Sequence, residues 1–176
     1  MTMRILIGGA FFALVCAAAP ASAQSQALLD CAVGSLDSSY RARIAETAKA
    51  GADLDAVTGR LKDAVTACAE RHGLTFDQQI AYYGYSLARV ERDEFARQLS
   101  GVGIPTQVID DSLGFGPYRA NPLIEGKISD DQINTFYRAL RDSGVDVNAV
   151  AGPTWGVIGV YVQASSTMWN AWEKLS

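Results

Sequence analysis

Apolar residues recur at Phe76, Ile80, Tyr83, Leu87, Val90, Phe95 and Leu99, in steps of three and four with one slip. That period lines one face of an α-helix over 74–101 and keeps Asp77, Arg89, Arg92, Asp93 and Arg97 off it. Thr75 and Gln78 have the spacing of a capping box, in which hydroxyl and amide each satisfy an orphaned backbone N–H. Ser100-Gly101 is expected to supply the left-handed residue that closes the helix, and Pro105 forbids an uninterrupted restart. A helix of ~25 residues spans ~37 Å, the length of a small domain, so it is the natural spine of the fold.

Shorter helical patterns flank it. Ala27, Leu28, Cys31 and Ala32 share a face before Leu36, and Asp37 is placed to cap a piece carrying Tyr40, Ile44 and Ala48. Whether the chain breaks or only bends at 34–39 is open. After Gly51, Asp53 is expected to cap a helix with Leu54, Val57, Leu61, Val65 and Cys68 on one side. Pro105 to Leu113 suits a short helix with proline first. Ser129 and Gln132 form a second capping box, with Ile128 and Ile133 at the staple positions and Ile133, Phe136, Tyr137 and Leu140 as the buried face until Ser143-Gly144. The stretch 147–172 has no charge, but Gly152-Pro153 splits it. Ile158, Tyr161, Ser165, Met168 and Trp172 then mark a buried final helix. A membrane-associated role for 147–172 is the competing reading, since Gly152, Gly156 and Gly159 would also suit close packing in lipid. The pattern predicts an all-α bundle of about six helices with one long central helix and one Gly/Pro-rich loop.

The first residues change the picture of compartment. Arg4, an apolar run over 5–19 and Ala21-Ser22-Ala23 read as a signal peptide cleaved near Ala23, giving a periplasmic or secreted chain. Residues 24–176 then form one domain. Arg4 leaves with the signal and no acid does, so the net charge moves from −4 to −5, which suits no nucleic acid or anionic membrane as partner. Cys16 leaves too, so Cys31 and Cys68 remain, and an oxidising compartment favours one disulfide between them. A tight turn at 51–53 would place the two at similar heights on antiparallel neighbours.

Candidate chemistry is sparse. No nucleotide loop, nucleophile elbow, zincin pattern or haem-attachment pair is present, and nothing calls for a metal or cofactor. His72, the one histidine, sits before Gly73 where a helix C-terminus favours it, and an acid–base role would need a positioned partner. A small envelope hydrolase using His72 or a carboxylate pair drawn from Glu70, Glu91, Glu94 and Glu125 is therefore the alternative to a non-enzymatic binding or interaction module. Asp110-Asp111 resembles no calcium loop.

The 113–126 segment has too many glycines and prolines for a helix, and Phe115, Tyr118, Arg119 and Asn121 are side chains that bind ligands or pin a loop to its core. Presented together, with Tyr82, Tyr85 or Trp155 as a wall, they would make a site for a small molecule or an envelope protein. Gly84 between Tyr83 and Tyr85 implies that something packs close there, either the terminal helix or a ligand.

Leu74-Thr-Phe-Asp-Gln78 and Ile128-Ser-Asp-Asp-Gln132 are similar to the L-T-x-x-Q signature of the small helical periplasmic chaperones of the Spy type. The likeness covers five residues at each place, and the second departs at two of the three fixed positions. It implies a helical fold that cradles its substrate, with a homo-oligomer as one form.

Overall fold

A computed structural model describes residues 25–119 and 128–175, so the expected signal peptide lies outside the described residues. Seven helices follow in order: α1 Gln26–Gly34, α2 Ser38–Lys49, α3 Gly59–His72, α4 Phe76–Gly101, α5 Thr106–Leu113, α6 Asp130–Asp142 and α7 Gly152–Glu173. The all-α expectation holds. Among the described residues there are seven helices rather than about six, because the chain breaks at 34–37. Ser35 ends α1, and the Asp37 carboxylate accepts from the Tyr40 N–H to start α2.

α4 runs through the middle, antiparallel to α7: Gly84 faces Ala171 while the Arg92 guanidinium lies 5.3 Å over the Tyr161 ring. One apolar cluster gathers α1, the start of α2, α3, the first half of α4 and the end of α7. The other gathers the second half of α4, α5, α6 and the start of α7. Both capping boxes form as read, at Thr75/Gln78 and at Ser129/Gln132. The terminal stripe is also as read, with Ile158, Tyr161, Ser165, Met168 and Trp172 all buried. No helix among the described residues is long and apolar enough to cross a membrane.

The face of α4 is where the periodicity misleads. Phe76 and Ile80 are 76% and 56% exposed, whereas Tyr82 and Tyr85, which are not part of the periodic stripe, are buried. A helix covered by α7 on one side and by α1 and α3 on another has no single core face, so the neighbours decide which residues are enclosed. Tyr82 shows the consequence. Its hydroxyl donates to the Leu28 carbonyl at 2.6 Å and accepts from the Ala32 N–H at 3.0 Å, two groups that one helical turn pairs with each other.

Three helix ends also differ from expectation. Asp53 caps only a local turn, accepting from the Asp55 N–H at 2.9 Å, and α3 starts at Gly59 after a Thr58 that makes no side-chain cap bond. The left-handed residue after α4 is Gly103, with φ +77°, and Gly101 stays helical. Pro105 precedes α5 as its N-cap instead of opening it.

Cys31 and Cys68 are joined, with their Cα atoms 6.1 Å apart. The bridge links α1 directly to α3, while α2 packs against α4, so the hairpin expected between the cysteines is replaced by a helix pair with α2 looped out between.

The close approach at Gly84 is the terminal helix. A Cβ there would meet the Ala171 Cβ at 3.6 Å, ordinary contact, and the helical backbone needs no glycine. Gly84→Ala is therefore expected to raise unfolding free energy by about 1 kcal/mol, visible as a higher urea midpoint with an unchanged slope.

Candidate functional site

Aromatic and charged side chains converge in a cleft of 390 Å³ where α1, α4, α7 and the chain after α5 meet. α4 supplies Tyr85, Arg89 and Arg92, spaced by four and three residues so that all three look the same way, together with Asp93 at the edge. α7 supplies Met168, Trp169 and Trp172, whose indole rings meet edge to face at 5.9 Å. Gln26 and Leu29 of α1 and Pro117 complete the wall.

The charges are held by ion pairs. Arg89 bonds the Asp30 carboxylate at 2.7 Å and the Leu29 carbonyl at 2.8 Å. Arg92 bonds Asp110 at 2.5 Å, and the other Asp110 oxygen accepts from the Tyr161 hydroxyl at 2.8 Å. Burial pushes the Asp110 carboxyl above its usual range, against the pull of Arg92 and Tyr161, and pushes the Tyr161 hydroxyl up as well. Asp93 lies between the two arginines, 3.6 Å from Arg89 Nε and 3.7 Å from Arg92 Nη1. Two donors on the lining side chains, Arg92 Nε and Trp169 Nε1, are buried without a hydrogen-bond partner.

The residues singled out in the sequence are not brought together. Phe115 is buried in the second apolar cluster and anchors the loop. Arg119 turns back to Asp111 at 2.9 Å and the Phe115 carbonyl at 3.4 Å, its side chain lying against Gly116. Tyr118 is 87% exposed at φ +60°, a conformation disfavoured for a residue with a side chain, and its ring edge meets Trp172 at 5.0 Å. Asn121 lies outside the described residues. Tyr82 is spent on α1, and Trp155 packs with Phe136 and Tyr137 in the second cluster. Tyr85 alone of the named residues lines the cleft. Arg89, Arg92, Trp169 and Trp172 carried a signal that went unused: two arginines one turn apart, and an uncharged terminal helix with two tryptophans to face them.

Acid–base candidates are scattered. His72 ends α3, with no ion pair among the described residues. Asp93 is the one carboxylate on the cleft wall, and no cluster of histidine, cysteine and acid among the described residues could hold a metal ion. A larger hollow of 630 Å³ at the ends of α4 and α6 and the start of α7 has a single charged residue, Asp146, and no aromatic side chain.

Glu91 is a half-buried carboxyl pushed up to about 7, with burial as the sole cause. Raised above its unfolded value of 4.5, it favours the folded state while protonated, and that contribution is lost as pH rises from about 4.5 through about 7. Glu91→Gln is expected to stabilise the protein at pH 8 by on the order of 1–3 kcal/mol and to change little at pH 4, as read from urea midpoints across that range.

Comparison of the chain with protein-family models, with curated proteins and with solved structures gives no match. The two pentapeptides that resemble the Spy-type signature are both capping boxes at helix starts.

Proposed function

We propose that this protein is an exported, non-enzymatic binding module that holds a small organic molecule in the cleft between α1, α4 and α7. The observation that carries the reading is the gathering, on one concave wall, of the Trp169, Trp172 and Tyr85 rings with the Arg89 and Arg92 side chains. Ligand sites characteristically combine broad apolar walls with a few polar groups that fix orientation, and 390 Å³ falls within their usual size. The Cys31–Cys68 bridge fits an oxidising compartment, and the amino-terminal pattern of Arg4, apolar run and Ala-Ser-Ala supports export. N-terminal sequencing of the mature chain from the cell envelope should begin at Gln24.

Two of the three tryptophans line the cleft, which makes the test direct. In a Trp155→Phe background, indole emission reports only Trp169 and Trp172. A panel of small aromatic and branched aliphatic molecules should include at least one that changes this emission saturably, with Kd below about 1 mM. A panel silent both in fluorescence and in ligand-observed NMR would overturn the reading.

A further inference from the structure

The apolar stripe that opens α4 has no cover among the described residues. Phe76 and Ile80 stand one turn apart on the same side of the helix, 76% and 56% exposed. Beside them a groove of 530 Å³ runs between the start of α4 and the end of α7. Ile80 and Gly84 form one bank, and Thr167 and Ala171 form the other. The small side chains at 84, 167 and 171 are what leave the groove open. Adjoining exposed apolar surface of this kind marks interaction sites.

The charges of this face are few and opposite. Asp77 on the α4 bank and Lys174 on the α7 bank are the charged residues of the lining, and neither makes an ion pair with any described residue. One acid and one base leave the face neutral on a chain that is acidic overall. A small apolar molecule would fill the groove but leave Phe76 in water and both charges unpaired. An apolar ridge beside an apolar groove, flanked by one charge of each sign, is instead complementary to itself. Turned about a two-fold axis, such a patch meets its own copy with every contact made twice. Opposite charges on the two banks then fix the register.

We propose that two copies of the chain associate through this face. Phe76 and Ile80 of each copy enter the groove of the other, and Asp77 of each lies against Lys174 of the other. The groove shares no lining residue with the cleft between α1, α4 and α7, so neither reading depends on the other.

Sedimentation velocity of the mature, oxidised protein from about 1 μM to about 1 mM should show a reversible doubling of mass, with Kd below about 0.1 mM. Thr167→Arg fills the groove from an exposed position, and Ile80→Asp puts a charge on the ridge. Each should raise Kd at least about tenfold while helical circular dichroism is retained. Asp77→Lys and Lys174→Asp set like charges opposite each other, and each should raise Kd about tenfold. The two reversals together restore the pair and should bring Kd back to within about threefold of wild type. Monomer mass at every concentration overturns the proposal. A dimer unchanged by both Thr167→Arg and Ile80→Asp forms elsewhere and overturns it as well. Failure of the double reversal to recover what the single ones lose overturns the arrangement, because Asp77 and Lys174 then do not face each other.

Discussion

Arg92→Met is expected to lower unfolding free energy by about 3–5 kcal/mol, because it leaves the Asp110 carboxylate buried without its cation. The Asp110 side chain is 9% exposed, and its remaining contact is the Tyr161 hydroxyl at 2.8 Å. A methionine fills the space of the arginine stem and does nothing for the charge. The deficit should shrink on acidification, since a protonated Asp110 has no charge to leave unpaired. Adding Asp110→Asn should recover most of the loss at neutral pH, because the amide oxygen still accepts from Tyr161 and carries no charge. Urea unfolding of wild type, single and double variants at pH 4.5 and pH 7.5 measures all three effects. Equal losses in the single and double variants would show that the loss does not come from an unpaired Asp110 charge.

Cys31→Ser with Cys68→Ser should cost about 4 kcal/mol, the chain-entropy value for the 37-residue separation that the bridge closes. The bridge does more here than shorten the unfolded chain. α1 has nine residues, too few for a stable helix alone, and it contributes Gln26 and Leu29 to the cleft and Asp30 to Arg89. Without the bridge, α1 is held by its apolar face, by the Tyr82 hydroxyl and by Arg89. Loss of the covalent link should therefore weaken ligand binding along with stability. The wild-type urea midpoint in excess reductant should fall to that of the double variant, and non-reducing mass spectrometry of the native chain should show the two cysteines joined. A reduced wild type as stable as the oxidised one would contradict both expectations.

What could be read in the chain by itself was whatever the backbone settles within a few residues. The boxes Thr75/Gln78 and Ser129/Gln132 formed as spaced, Asp37 capped α2, and Gly144 ended the α6 region at φ +91°. Each is a local matter of pairing orphaned N–H and C=O groups or of admitting a left-handed residue, so neighbouring residues carry it. The α7 stripe was legible for a related reason: a helix with one buried side records that side in its spacing. The disulfide was legible by elimination, because only two cysteines follow the expected cleavage site.

The tertiary structure alone decided the rest. α4 is enclosed from several directions, so its spacing names no single face, and Tyr82 and Tyr85 went inside while Phe76 and Ile80 stayed out. The direct pairing of α1 with α3 depends on where α2 docks against α4, which no local signal contains. The cleft is the extreme case. Asp30 meets Arg89 and Arg92 meets Asp110 from separate helices, and each of these side chains read alone is an ordinary surface charge. Phe115, Tyr118 and Arg119 had suitable chemistry, but loop packing sent the first into the core and tied the third to Asp111. A binding wall is made of residues that are neighbours only after folding. Local spacing can fix which helices form, whereas which side chains face one another depends on how those helices pack.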